Sequence, residues 1–129
     1  MKEADQAIQL KIFAILFRIE NNQVEFLLLK NSIAEDELLS GKYYVVTGSV
    51  ENTETLEDAV KREIFEETGI TDIISIMPLN KVFKYNSTDG KTQYNEHAYA
   101  VNINTDNIVL SEEHTDYCWV NGQEFLDKI

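Results

Sequence analysis

The segment GSVENTETLEDAVKREIFEETGI, residues 48–70, determines how the rest of the chain is interpreted. Its middle predicts a helix over residues 56–68, because that stretch contains neither glycine nor proline. Thr55 is placed to cap the helix N-terminus, with Asp58 as its partner three residues later. Gly69 stands where a residue in the left-handed conformation would end the helix.

Helical periodicity divides this segment into an apolar stripe and an acidic row. The apolar stripe consists of Leu56, Val60 and Ile64. The acidic row has the i, i+3, i+4 spacing that puts side chains on one helix face, and consists of Glu63, Glu66 and Glu67. Glu63 and Glu67 fall beside the apolar stripe, so we expect them to face inward or along a cleft.

Three carboxylates on one helix face repel one another, and we expect no basic side chain on that face to offset them. A hard divalent cation would remove the repulsion and use the carboxylate oxygens as ligands. A cation held there can bind phosphate oxygens and activate a water molecule. The spacing alone leaves a second interpretation open, a solvated acidic helix face, which is common in a chain with a net charge of −12.

The complete spacing is more specific than the acidic row. Gly48 is followed by Glu54 after five residues, and the sequence REIFEETGI, residues 62–70, begins after seven more. This arrangement resembles the Nudix box with every signature position filled. The resemblance implies an α+β fold, a Nudix-type α/β/α sandwich with a mixed central sheet and a catalytic loop–helix–loop.

The resemblance also implies a reaction, the hydrolysis of a phosphoanhydride in a nucleoside diphosphate linked to another group, with Mg²⁺ or Mn²⁺ as cofactor. By analogy within the box, Glu63 and Glu67 are the leading metal ligands. Glu66 is a further ligand or the group that orients the attacking water. Because a diphosphate is anionic and the site consists of anions, the metal ions must mediate between them.

Three other positions of the box have supporting roles in the resemblance. Arg62 is expected to pair with Glu54 and anchor the loop to the helix, because a guanidinium binds a carboxylate in a bidentate way. Gly48 is expected to offer its backbone carbonyl near the metal, where a side chain would intrude.

Nudix enzymes often use one more acidic group outside the box, as a metal ligand or general base. Glu113 and Glu96 are the two candidates here. Glu113 is favoured because a loop brings a carboxylate to a metal with less constraint than a strand does. Glu66, Glu113 and Glu96 all stay open as the general base. His114 and His97, which follow two of these glutamates, are interpreted as packing or surface residues.

The flanking segments resemble more than one Nudix subgroup. VTGSVE (46–51) and LSEEHTDYCWV (110–120) resemble dATP and dihydroneopterin triphosphate pyrophosphohydrolases, which release a monophosphate and pyrophosphate. NNQVEFLLLK (21–30) and the spacing of Glu113, His114, Tyr117 and Trp119 resemble diadenosine tetraphosphate hydrolases, the second candidate. The third is a Nudix-fold nucleotide sensor without turnover, which is disfavoured because the box keeps its glutamates. ADP-ribose hydrolases are less favoured, since their usual downstream signature is not found.

Substrate contacts are expected at three places. Thr47 occupies a substrate-contacting position of the first subgroup. Lys30 ends the second predicted strand and is a candidate phosphate contact, although Asn31 stands where that subgroup has a basic residue. Candidates for stacking on a base, each of which is also a candidate for the core, are Tyr44, Tyr85 and Tyr117.

Length and charge limit the remaining possibilities. The 129 residues predict one domain spanning residues 1–129. With 11 basic and 23 acidic residues, the chain is not expected to bind nucleic acid or an anionic membrane. A small-molecule nucleotide is the expected partner, and both a monomer and a homodimer are open.

Cys118 is the only cysteine and is expected to be a packed thiol. The N-terminus does not resemble a signal peptide, so the expected location is cytoplasmic.

The remaining elements follow from strand patterns and turn residues. Asn21–Asn22 is a turn, residues 86–91 a hairpin tip, and residues 31–42, with Gly41, and 104–116 are loops. A bend is expected at Pro78. The predicted strands are residues 8–19, 24–30, 43–47, 72–85, 92–103 and 117–120, and a short helix is predicted at 122–128.

Overall fold

The computed structural model describes residues 6–31, 42–105 and 107–129. Its elements, in chain order, are β1 (Ala7–Glu20), β2 (Gln23–Asn31), β3 (Tyr43–Tyr44), β4 (Val46–Ser49), α1 (Leu56–Thr68), β5 (Ile73–Asn86), β6 (Thr92–Ile103), β7 (His114–Val120) and α2 (Gly122–Lys128). The predicted loop at 31–42 lies outside the described residues except at its two ends. Within the described ranges, neither helix is long and apolar enough to cross a membrane.

The strands form one mixed sheet, which confirms the predicted fold class. Along the sheet the order is β3-β2-β1-β6-β5, while β4 pairs with β1 and β7 pairs with β2. β1 is parallel to β6 and antiparallel to both β2 and β4. β1 is therefore the central strand. β6 pairs along one side of β1, and the shorter strands β2 and β4 pair with different parts of its other side.

One helix covers each face of the sheet. The core cluster on the α1 face joins the helix to the central strands and includes Ile64, Ile12, Leu29, Val46 and Val101. The cluster on the α2 face includes Phe125, Leu28, Val120 and Val45. Because side chains alternate along a strand, neighbouring residues of β1 and β2 belong to opposite clusters. This gives the α/β/α layers that the Nudix resemblance implies.

The ends of α1 are fixed by local interactions, as the sequence predicts. Thr55 Oγ1 accepts a hydrogen bond of 3.1 Å from the Asp58 N–H. Gly69 ends the helix at φ 74°, and its N–H donates to the Phe65 carbonyl at 2.8 Å. A residue with a Cβ atom is strained at such a φ, so glycine suits this end of the helix.

Two predicted boundaries are wrong. The strand predicted at residues 43–47 is interrupted at Val45, because β3 pairs with β2 whereas β4 pairs with β1. The loop predicted at 104–116 is too long, since β7 already begins at His114. β7 stays paired with β2 as far as Asn31 across an irregularity in the register, which turn residues in the sequence do not reveal.

The β5–β6 hairpin contains the predicted bend. The pairing of the two strands breaks between Pro78 and Val82, and Asn80 within this break has φ 56°. Asn21 and Asn22, in the predicted turn between β1 and β2, also have positive φ values. Cys118 packs against the cluster on the α2 face, and burial raises the pKa of its thiol.

Candidate functional site

The three glutamates of the acidic row occupy different environments. Glu67 is 6% exposed, and Glu63 is largely buried, so both point toward the sheet. Glu66 is exposed over 53% of its side chain. The prediction that Glu63 and Glu67 face inward agrees with this placement, while Glu66 faces solvent at the edge of the site.

The Glu63 and Glu67 carboxyl groups are hydrogen-bonded to each other. Burial is the main cause that raises the pKa of Glu67 to about 9, and the charge of Glu63 adds to it. Burial also raises the pKa of Glu63, although its bonds with Arg62 and Glu67 act in the opposite direction. At neutral pH, Glu67 therefore holds a proton and donates it to Glu63. We call these two groups the carboxyl pair.

Gly48 on β4 is packed directly against the carboxyl pair. Its Cα lies opposite Ile12 on β1, on the face that α1 covers. A Cβ atom added at Gly48 would overlap the carboxyl group of Glu63. A glycine is therefore required at this position for Glu63 to reach its place beside the strand.

Arg62 connects the loop before α1 to the acidic row. Its Nε and Nη2 donate to the two carboxyl oxygens of Glu54 at 2.7 and 3.0 Å, and Nη2 also donates to the Ser49 carbonyl at 2.9 Å. Nη1 donates to Glu63 at 3.0 Å and to Glu66 at 3.3 Å. The pair with Glu54 is thus present. The expectation that no basic side chain offsets the acidic row is wrong, because the flexible Arg62 side chain reaches around the helix.

This arrangement holds the loop in place electrostatically. Hydrogen bonds from Arg62 lower the pKa of Glu54, and a bond from the Glu51 N–H to Glu54 Oε1 at 3.0 Å adds to the effect. The same bonds raise the pKa of Arg62. Both side chains are therefore ionised at any pH near neutrality.

His114 is the residue whose role the sequence did not reveal. It is 9% exposed, and its Nε2 lies 3.6 Å from Glu67 Oε1. Burial lowers the pKa of His114, so the ring is neutral at pH 7. Its Nδ1 is buried and has no hydrogen-bond partner among the described residues. The sequence signals were its place after Glu113 and in the spacing with Tyr117 and Trp119, and neither reveals the contact, which depends on where β7 begins.

The two candidate acids outside the box lie on opposite faces of the sheet. Glu113, exposed in the turn before β7, is close enough for its charge to help raise the pKa of Glu67. Glu96 is buried on β6 and alternates with Tyr99 and Val101, which pack toward α1. The structure therefore brings Glu113, and not Glu96, to the side of the carboxyl pair.

The three predicted substrate contacts do not lie together. Thr47 is opposite Phe13 of β1, on the α2 face. Lys30 lies opposite Asp116 of β7 and two residues after Leu28, which puts it on the same α2 face. Tyr117 instead packs against the core on the α1 face. Thr47 and Lys30 thus share a face that Tyr117 does not reach.

An aromatic surface lies on the α2 face of the sheet beside Thr47. Of its residues, the sequence indicated only Tyr44 and Tyr85. The surface consists of Phe13, Tyr44, Phe83, Tyr85 and Tyr94. Ring centroids are 5.5 Å apart for Phe13 and Phe83, and 5.2 Å apart for Tyr85 and Tyr94. Phe83 and Tyr85 are 39% and 42% exposed, so the surface is open to a ligand.

The carboxyl pair has the chemistry of a cation site. Carboxylate oxygens are the donors that Mg²⁺ prefers, and a divalent cation can replace the proton that the pair now shares. Across the described ranges, no three acidic, histidine or cysteine side chains converge closely enough to hold an ion as they stand. Arg62 instead donates hydrogen bonds to Glu63 and Glu66, so its guanidinium offsets part of their negative charge.

Comparison with known proteins identifies a family. The model of the NUDIX domain matches residues 10–129. A Caenorhabditis elegans protein named as a nudix hydrolase is 37% identical over 67 residues, which is 51% of this chain but 18% of that protein. The chain thus spans less than a fifth of the length of this relative.

Solved structures with the same fold include proteins named for different ligands. The NUDIX domain of Shewanella oneidensis NrtR, in complex with ADP ribose, has a TM-score of 0.74 at 22% identity, covering 100% of this chain and 82% of that one. The dihydroneopterin triphosphate pyrophosphohydrolase of E. coli has a TM-score of 0.74 at 20% identity, with coverage of 95% and 88%. The C. elegans Ap4A hydrolase has a TM-score of 0.68 at 20% identity, with coverage of 93% and 85%.

Proposed function

The chain belongs to the Nudix domain family, and from this premise we propose that it is a divalent-metal-dependent pyrophosphohydrolase. The proposed substrate is a nucleoside triphosphate or a similar compound, such as dATP or a pterin triphosphate. The products are a monophosphate and pyrophosphate. The observation that carries the proposal is the buried carboxyl pair packed against Gly48.

We expect further oxygen ligands for Mg²⁺ or Mn²⁺ around this pair. Glu63 and Glu67 would hold the metal, together with the Gly48 carbonyl and with Glu66 and Glu113 at the exposed rim. When bound, the metal neutralises phosphate charge and lowers the pKa of a coordinated water. Arg62 keeps Glu63 beside β4 and fixes the loop through Glu54.

The position of each carboxyl group indicates its part in proton transfer. A general base must pass its proton to solvent after each turnover. Glu66 and Glu113 are exposed and can do so, whereas Glu67 is buried. We therefore assign the general base to Glu66 or Glu113 and disfavour Glu96, which lies on the opposite face of the sheet.

The base of the substrate is assigned to the aromatic surface. Aromatic rings stack on the face of any nucleobase or pterin, so this surface supports a class of substrate rather than one base. Thr47 and Gly48 are neighbours in β4 and face opposite sides of the sheet. A substrate with its base beside Thr47 would therefore have its phosphates close to the strand that packs on the carboxyl pair.

Two other functions remain as alternatives. The solved Ap4A hydrolase shares the fold, and an aromatic surface with several open rings also suits a dinucleotide. A nucleotide sensor without turnover is the third possibility. It is disfavoured because Glu54, Glu63, Glu66 and Glu67 are all present.

The deciding experiment is a Mg²⁺-dependent hydrolysis panel in which the products are identified. The substrates are dATP and other nucleoside triphosphates, dihydroneopterin triphosphate, diadenosine tetraphosphate and ADP-ribose, and the control enzyme is Glu67→Gln. Pyrophosphate and a monophosphate from a triphosphate would support the proposal. ATP and AMP from the dinucleotide would replace it with the second candidate. Nucleotide binding without any turnover would replace it with the sensor.

A further inference from the structure

We propose that His114 is a positioning residue, which holds the Glu67 carboxyl group in the orientation that a divalent cation needs. The inference rests on the proposed function, because it takes the carboxyl pair to be the metal site. His114 would act through Glu67 and would not itself touch the metal or the substrate.

The first support is the contact between two buried polar side chains from different elements. Glu67 is in the last turn of α1, and His114 is the first residue of β7. His114 Nε2 lies 3.6 Å from Glu67 Oε1, and each residue is more than nine-tenths buried. Side chains packed this tightly have few rotamers available, so the ring restricts where the carboxyl group can turn.

The second support is the backbone of the segment that leads to His114. The Val109 N–H donates to the Thr68 carbonyl at 2.8 Å, and the Ser111 N–H donates to the Glu67 carbonyl at 3.4 Å. The His114 N–H then donates to the Ser111 carbonyl at 3.2 Å. Carbonyl groups at a helix C-terminus have no partner within the helix, and here this segment provides one. Glu67 is thus held at both its backbone and its side chain.

The third support is the unused nitrogen of the ring. Nδ1 of His114 is buried and has no hydrogen-bond partner among the described residues. A buried histidine that serves packing alone normally has both nitrogens satisfied, because an unpaired buried polar atom costs stability. A phenylalanine or leucine would fill the same space without this cost. Packing alone therefore does not explain a histidine here. The feature that distinguishes histidine from those residues is Nε2, the nitrogen beside Glu67.

The Glu67 carboxyl group also meets Glu63. The group therefore contacts both the imidazole of His114 and the second carboxyl of the pair. Without the imidazole, the Glu67 side chain would gain freedom on that side, and the cation would have to restrict it again on binding. Loss of residues that orient metal ligands typically weakens metal affinity by about 10- to 100-fold.

The test measures Mn²⁺ binding to the full chain without substrate, by electron paramagnetic resonance, in matched variants. His114→Phe keeps the ring volume and removes both nitrogens. His114→Gln places an amide nitrogen near the position of Nε2. His97→Phe is the control for the loss of an imidazole, because His97, the chain's other histidine, lies on β6 and not on β7. We expect His114→Phe to raise the Kd for Mn²⁺ about 10- to 100-fold, His114→Gln to restore part of the affinity, and His97→Phe to leave it unchanged.

A double variant separates positioning from general damage to the fold. In the Glu67→Gln background, adding His114→Phe should cause no further loss of Mn²⁺ affinity. A wild-type Kd in His114→Phe would overturn the proposal, as would an equal loss in both backgrounds. If His114→Phe does not fold, as judged by circular dichroism, His114→Leu takes its place under the same criteria.

The outcomes also distinguish this inference from the proposed function. Wild-type protein that binds Mn²⁺ and responds to His114→Phe, but hydrolyses none of the panel substrates, would overturn the proposed activity and leave the positioning role intact. Wild-type protein that binds no Mn²⁺ would overturn both.

Discussion

The carboxyl group of Glu63 occupies the space that any side chain at residue 48 would need. Glu63 belongs to α1 and Gly48 to β4, so this contact fixes how closely the helix approaches the strand. The close approach leaves the Glu63 carboxyl group directly beside the backbone of β4.

Gly48→Ala should strongly reduce both metal binding and hydrolysis, because the added methyl group displaces Glu63. Gly122→Ala is the matched control, since its added Cβ would meet only Phe26 at an ordinary 3.8 Å. We would measure the Kd for Mn²⁺ and kcat/KM for both variants. Equal activity of the two variants would contradict the packing described here.

Glu67 should make the metal-free protein less stable as the pH rises. Its pKa is about 9 in the folded protein, against an ordinary value of 4.5. Between these values the folded state keeps a proton that the unfolded state has lost, so raising the pH favours unfolding. The contribution is at most about 1.4 kcal/mol per pH unit.

Unfolding by urea in the presence of EDTA would reveal this contribution. From pH 6 to pH 8.5, the free energy of unfolding should fall more for the wild type than for Glu67→Gln, whose amide does not titrate. Adding Mg²⁺ at pH 8.5 should stabilise the wild type and have little effect on the variant. Parallel pH profiles without metal would show that Glu67 keeps an ordinary pKa.

Arg62→Lys should impair the site even though the charge is kept. Lysine cannot make the two bonds to Glu54 together with those to Ser49 and Glu63, because its ammonium lacks the planar fork. We expect kcat/KM to fall by about 10- to 100-fold, as for other residues that orient metal ligands. Arg18→Lys, at the chain's other arginine, serves as the control and should keep near-normal activity. Similar kinetics in both variants would argue against this role.

Ile64 should dominate the stability of the contact between α1 and the sheet. Its side chain is fully buried in the core cluster on the α1 face. Ile64→Ala should lower the free energy of unfolding by about 2–5 kcal/mol, through lost burial and the cavity that remains. Phe65→Ala, at a neighbouring residue that is 55% exposed, should cost much less. Denaturant titration of both variants at one pH makes the comparison.

Tyr85→Ala should weaken substrate binding if the aromatic surface stacks on the base. Loss of one stacking ring costs about 1–3 kcal/mol, so KM should rise while kcat changes little. Tyr43→Ala is the control, because Tyr43 lies on β3 outside the aromatic surface and packs near Lys128. A larger rise in KM for Tyr43→Ala would place the base elsewhere.

Local features of the chain were predictable because their causes are local. The bounds of α1 follow from Thr55 and Gly69, each next to the helix that it caps. The Arg62–Glu54 pair joins residues eight positions apart within one motif. In both cases the sequence contains all the residues that decide the outcome.

Contacts that depend on strand pairing were not predictable in this way. The approach of His114 to Glu67 needs the register of β7 on β2, and this register includes an irregularity. The break at Val45 depends on β3 and β4 having different partners. The sheet face of Lys30, in contrast, could have been predicted from the sequence. Side chains alternate along β2, which places Lys30 on the α2 face with Leu28.

β4 places Thr47 and Gly48 on opposite faces of one sheet. The aromatic surface lies on the side of Thr47, and the carboxyl pair lies on the side of Gly48. The exposed rings and the glutamates of α1 are thus separated by the sheet, so replacing a ring does not alter the contacts of the glutamates. Natural selection can accordingly alter the rings by single mutations while the acidic motif is preserved, so descendants of one ancestral gene can acquire new substrates without rebuilding their chemistry.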